Sequence, residues 1–201
     1  MIATGGDTTS TALSGILFYL SRNPSAKNYL THLLRSTFLT LPSIRLQPLQ
    51  DIPYLRACID ESLRPLPPSP TPSTAMQANP APQSASIITF PQISPPALHH
   101  NTAYFPDPFA FRPERCTLND PDQIALAKSA FAPFSLGPRS CIAKHLAYAE
   151  LTLALGWLMW LADFEPVVGK EDAKVGAGAA ELGYGRHREG EFQLRDQFKC
   201  D

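Results

Sequence analysis

Proline sets the tightest limit on what this chain can fold into. It has 21 prolines in 201 residues, and ten of them lie between Pro65 and Pro96. Each removes a backbone donor and fixes φ, so neither a helix nor a central strand can run through that stretch. The segment is also low in charge and rich in Ser, Ala and Thr, the composition of a loop or a disordered region. Within it, only Ile87-Ile88-Thr89-Phe90 has the apolar run of a short edge strand.

On either side of the prolines the pattern is helical. Leu13, Ile16, Leu17 and Leu20 recur at helical spacing and predict a helix over about 4–20. Asn23-Pro24-Ser25 breaks it and starts a second helix, with Pro in the first turn, running to about Phe38. A loop holding Pro42 and Pro48 follows. Asp51 and Pro53 then open a third helix that Pro65 stops near Arg64. Residues 104–115 are aromatic, proline-rich and without periodicity, as in a packed irregular loop. From Ile142 to about Trp160 the Leu- and Ala-rich sequence predicts one long helix buried on nearly all sides. The tail beyond Phe164 is Gly-rich and weakly patterned, with a marginal hairpin near Glu191 to Leu194.

Composition narrows the function classes. The hydrophobic fraction, 44%, is that of an ordinary chain with a core, and 201 residues suffice for one. The net charge of -1 and the absence of a basic run argue against nucleic acid and against a polybasic membrane-surface segment. Cys58, Cys116, Cys141 and Cys200 are far apart, which argues against a disulfide framework or a zinc site. The N-terminus has no signal-peptide pattern, and the longest apolar stretch, Leu151 to Ala162, is too short to span a bilayer. A reduced chain, cytoplasmic or membrane-peripheral, is the expectation. His32, His99, His100, His145 and His187 are scattered without metal-ligand spacing and read as surface residues.

The sharpest chemical feature is Phe134-Ser135-Leu136-Gly137-Pro138-Arg139-Ser140-Cys141-Ile142-Ala143. Gly and Pro shape a tight loop, Arg139 stands two residues before Cys141, and Cys141 opens the long apolar helix. A helix N-terminus favours thiolate over thiol, the state an iron ligand requires. On chemistry alone a buried structural cysteine fits equally well. Glu61-Ser62-Leu63-Arg64 places two charges on one helix face, and in isolation such a pair reads as a solvated surface pair worth under about 1 kcal/mol. Thr4-Gly5-Gly6-Asp7-Thr8-Thr9 in isolation reads as a helix N-terminus with an acidic residue near the positive dipole end.

Together these three stretches resemble the cytochrome P-450 family, in its order and approximate spacing. The first is similar to the family's Phe-x-x-Gly-x-Arg-x-Cys-x-Gly loop, with Ala143 in place of the last Gly. The second resembles its buried Glu-x-x-Arg pair, with Arg115 of Phe111-Arg112-Pro113-Glu114-Arg115 as the arginine that completes it. The third resembles its Ala-Gly-x-Asp-Thr-Thr, with Thr4 in the Ala position. The resemblance runs from about Thr4 to Phe164, includes Leu146-Ala147-Tyr148-Ala149-Glu150, and has the style of fungal members.

The resemblance implies a mainly α fold with small β elements, the C-terminal half of a cytochrome P-450. Residues 1–164 would be the haem-binding portion, with the irregular Pro-rich segment 65–96 inside it, and 165–201 a diverged tail. It implies a haem-dependent monooxygenase that inserts oxygen from O2 into a small organic substrate. Electrons would come from an NADPH-dependent reductase. Haem b, iron protoporphyrin IX, would be the cofactor and Cys141 its axial ligand. Phe134, Gly137, Arg139 and Ala143 would form the haem loop, with Arg139 neutralising a propionate. Asp7 and Thr8 would relay protons, and Glu61, Arg64 and Arg115 would brace the loop.

Family members usually sit at the endoplasmic reticulum membrane. Three departures bear on this reading. A full-length member is more than twice this size, so a truncated chain is expected, lacking the roof over the substrate pocket. No arginine occurs between Arg64 and Arg112, where relatives place a propionate ligand, and Cys116 stands where an aromatic residue is usual. A frame error, retained intron or degraded gene would account for the first two. The alternatives are a non-catalytic haem-binding or haem-free remnant, and an interaction protein using the P-x-x-P spacing of Pro65-Leu66-Pro67-Pro68.

Overall fold

A computed structural model describes residues 3–65, 95–117, 120–137 and 140–165. The Ile87–Phe90 strand, the hairpin near 191–194, the Pro65–Pro68 motif, His187 and Cys200 therefore lie wholly or largely outside the described residues, as do Pro138 and Arg139. Among the described residues there is no strand. The described part is mostly helical, as expected of a mainly α fold, and the expected small β elements are not seen in it.

The first four helices are α1 (Ala3–Arg22), α2 (Pro24–Thr37), α3 (Leu46–Gln50) and α4 (Pro53–Leu63). Three more follow: α5 (Pro95–His99), α6 (Pro121–Ala130) and α7 (Lys144–Leu161). Single 3-10 turns lie at Leu41–Ser43 and Pro113–Cys116. Prolines begin α2, α4 and α6 at the first turn, where the missing N–H is one that no helix would use. The loop expected around Pro48 contains α3, because Pro48 falls within the first turn of so short a helix and breaks no internal bond. Helix α6 was not foreseen. Its start is marked by Asp120, whose carboxylate accepts from the amides of Asp122 and Gln123 at 3.1 Å each.

One core joins α1, α2, α3, α4 and α7. Ile16 and Leu20 of α1, Leu30 and Leu34 of α2, and Leu55 and Ile59 of α4 are fully buried, and so is Leu155 of α7. Cys58 is fully buried in this core, and burial pushes its thiol pKa up. Tyr19 of α1 stacks on Phe111 of the irregular loop, ring planes 2° apart and centroids 5.5 Å apart. Helix α7 is not buried on nearly all sides. Tyr148, Leu151, Leu155 and Met159 face the core, while Leu146, Trp157 and Leu161 are exposed. Gly156 lets α7 close on α3, since a Cβ there would lie 2.8 Å from both methyls of Leu49.

Helix α2 caps the end of α7. Arg35 Nε donates to the Trp160 carbonyl (3.2 Å), and Lys27 Nζ donates to the Phe164 carbonyl (2.8 Å). Both bonds satisfy carbonyls that lack intrahelical partners. Among the described residues, no helix is long and apolar enough to cross a membrane.

Candidate haem-thiolate site and its supporting network

Helix α4 is buried almost all round, and its last turn carries Glu61 and Arg64, each 1% exposed. A carboxylate so placed needs every lone pair matched. Glu61 Oε1 accepts from Arg64 Nη2, from Arg115 Nε and from the Arg112 amide, each at 3.0 Å. Its Oε2 accepts from Arg64 Nε at 3.1 Å.

The two guanidinium groups spend their other N–H groups on main-chain carbonyls. Arg64 Nη1 reaches His99 O (2.9 Å). Arg115 Nη1 reaches Pro106 O (2.7 Å), and its Nη2 reaches both Asp107 O and Ala110 O (3.1 Å each). Burial lowers the pKa of Arg115, against the opposing pull of Glu61. Glu61, Arg64 and Arg115 are thus brought together out of solvent, not arranged as a solvated surface pair.

His99 is also out of solvent, at 0% exposed, which corrects its reading as a surface residue. The Ala132 amide donates to its Nε2 (2.9 Å), so Nε2 carries no proton. The proton sits on Nδ1, which donates to the Arg64 carbonyl at 2.6 Å. Burial lowers the His99 pKa to about 4, so the ring is neutral at pH 7. Sequence reasoning passed over it because His99 ends α5, a five-residue helix too short for any periodicity to betray burial. His32 and His145 are exposed, as expected.

The cysteine loop lies beyond this network. Ser135 (φ 63°) and Gly137 (φ 77°) turn the chain in left-handed conformations. The Ser135 amide donates to Ala132 O (3.2 Å), and the Cys141 amide donates to Phe134 O (2.9 Å). Phe134 is half-buried, with its ring centroid 5.1 Å from that of Tyr148. Tyr148 in turn donates to Asp60 Oδ1 (2.7 Å), whose other oxygen accepts from Arg56 Nε (2.9 Å). Burial raises the Asp60 pKa. Cys141 does not itself open α7. The helix begins at Lys144, and the Lys144 amide closes a turn onto Cys141 O (3.3 Å).

Cys141 is exposed, as are Gly137 and Ala143. Close to it in sequence, Leu136 is 64% exposed, Ile142 100% and Leu146 61%. Three large apolar side chains open to water next to an accessible thiol suit a flat, largely apolar group held through sulfur. Among the described residues, no cluster of three or more His, Cys, Asp or Glu could hold a metal ion by itself.

Asp7 and Thr8 lie exposed on the second turn of α1, a separate element from the cysteine loop. Next to them Gly6 has open space where a Cβ would be, with nothing within 4 Å. A cavity of about 450 Å³ opens elsewhere, beside the Glu61 network, lined among others by Arg56, Asp60, Cys116, Ile124 and Lys128. Neither Cys141 nor Asp7 and Thr8 line it.

A family model described as cytochrome P-450 matches residues 1–175. Curated fungal proteins are similar over most of the chain. Cytochrome P-450 monooxygenase AKT7 of Alternaria alternata is 41% identical over 209 aligned positions, covering 96% of this chain and 39% of the relative. Cytochrome P-450 monooxygenase apf8 of Gibberella fujikuroi is 38% identical, covering 82% of this chain and 47% of the relative. BOT4 of Botryotinia fuckeliana, also named a cytochrome P-450 monooxygenase, is 38% identical, covering 83% and 31%. The chain belongs to the cytochrome P-450 family, whose members hold haem. It spans less than half the length of these relatives.

Proposed function

We propose that this chain is the haem-binding portion of a haem-dependent monooxygenase, with Cys141 as the axial thiolate ligand of haem b. The observation that carries the reading is the solvent-open Cys141 among exposed Leu136, Ile142 and Leu146, on a loop bonded back to a buried charged network. Three relatives named as monooxygenases support the reaction class. The haem-binding portion would be residues 1–164 and the tail 165–201; the family match runs to residue 175.

When bound, the haem supplies the activation of O2 for insertion into a substrate C–H bond. The protein's own residues do the rest. Cys141 presents sulfur from a turn whose amide is fixed on Phe134 O. Phe134 closes the loop against Tyr148, and the small residues Gly137 and Ala143 would leave room for the macrocycle. The Asp7 carboxylate and Thr8 hydroxyl hold and move protons, with Gly6 leaving room beside them. Arg139 would neutralise a propionate; this role rests on its motif position. The substrate is a small organic molecule and the electron donor a separate NADPH-dependent reductase.

The test is a spectrum. In the full-length protein, reduced and treated with carbon monoxide, a strongly red-shifted Soret band is expected from cysteinate ligation. Cys141→Ser should abolish that band, and an unchanged spectrum would overturn the assignment. The second reading, a haem-binding remnant without turnover, predicts the same band with no product formed from NADPH. Asp7→Asn and Thr8→Ala should leave the band intact while NADPH is consumed with less product.

A further inference from the structure

We infer that His99 is a positioning residue for the iron ligand: its imidazole ties the end of α4 to the stretch of chain that leads into Cys141. The inference rests on Cys141 being that ligand. Both ring nitrogens are committed to main-chain atoms of two different elements. Nδ1–H donates to Arg64 O, and Nε2 accepts from the Ala132 amide. The tie to α4 is doubled, since Arg64 Nη1 donates back to His99 O. The ring is also fixed in orientation, stacked against Phe131 at 27° and edge-on to Phe105.

On the loop side Ala132 is where the order begins. Its amide is taken by His99, its carbonyl accepts from Ser135, and two residues on from it Phe134 O accepts from Cys141. A hydrogen-bonded path from the Glu61–Arg64 pair to the sulfur-bearing residue therefore runs through this imidazole. Ala132 is 5% exposed, so losing His99 would strand a buried amide. A histidine that merely filled space would need neither nitrogen, and any side chain of similar volume would serve. The motifs that suggested the family include neither His99 nor Ala132.

Two amide side chains separate the nitrogens. In His99→Gln the terminal group reaches as far along the side chain as Nε2 and can accept from Ala132. In His99→Asn it reaches only as far as Nδ1 and can donate to Arg64 O. His99→Phe keeps the ring and loses both bonds. Amide exchange should be followed across 132–141 in the full-length protein, with and without haem, beside the reduced carbonyl spectrum and the global melting transition.

His99→Phe and His99→Asn should speed exchange in 132–141 by about tenfold over wild type, relative to the helices. Both should also lose red-shifted band. His99→Gln should restore most of each. Equal behaviour of the Gln and Asn variants, or a Phe variant with wild-type loop exchange, would overturn the inference. So would loop exchange that rises only in step with global melting. Failure of the ligand assignment would show separately, as a band that survives Cys141→Ser, because exchange in the haem-free protein reads the loop alone.

Discussion

Glu61, Arg64 and Arg115 are withdrawn from water and bonded to one another or to main-chain groups. Around Cys141, eighty residues further along the chain, apolar groups and a thiol are left open to water. The two regions are joined by His99 at one point and by Asp60–Tyr148–Phe134 at another. The first is costly to disturb because each lost partner strands a buried charge. The second is cheap to alter in the protein alone, because its groups already face solvent. Such a division separates the part that holds the fold from the part that holds a ligand.

Glu61→Ala should break the comparison most severely. It leaves Arg64 and Arg115 without their shared carboxylate and is expected to cost about 3–5 kcal/mol, read as the shift in a urea unfolding transition. Acidification comes next. The His99 pKa is about 4 in the fold against 6.5 as the ordinary value. The unfolded chain therefore binds the proton first, and stability falls as pH drops below 6.5, levelling near 4. The contribution is on the order of 3 kcal/mol. His99→Phe should flatten that part of the stability curve, and a wild-type slope in the variant would count against it.

Tyr148→Phe removes the donor to Asp60 while keeping the ring against Phe134. We expect a loss of about 1 kcal/mol in the same unfolding measurement. Cys141→Ser should leave the urea midpoint of the haem-free protein where it was. A large shift there would mean that Cys141 belongs with the braced region after all.

How much of this was legible beforehand varies with the physics of each residue. Helices α1, α2 and α4 announce themselves through apolar spacing and prolines at their starts, and they stand within two residues or so of expectation. Helix α6 escaped because Ala, Ser and Lys dominate it and only Ala130 is buried, so no stripe marks a face. Its one cue was Asp120 followed by Pro121. Helix α3 escaped because Pro48 reads as a breaker until its first-turn position is known. The Glu61–Arg64 spacing looked the same as any surface pair. Only tertiary packing distinguishes the two, through the carbonyls of residues 99–110 that come to meet the guanidinium groups. The start of α7 was misplaced by two residues, since apolar Ile142 continues the helical composition while in fact standing fully exposed.

The cap that α2 places on α7 bears on how the chain assembles. Lys27 and Phe164 are 137 positions apart, and Arg35 and Trp160 are 125 apart. Closing so long a span is slow and entropically unfavourable until α7 has apolar surface to cover. As the polypeptide leaves the ribosome, α1, α2 and α4 therefore emerge with Leu20, Leu34 and Leu55 lacking their last cover, and wait for Leu155 to arrive. In that interval the nascent chain presents an adhesive surface, and chaperone capture should be strongest just before residue 161 is synthesised.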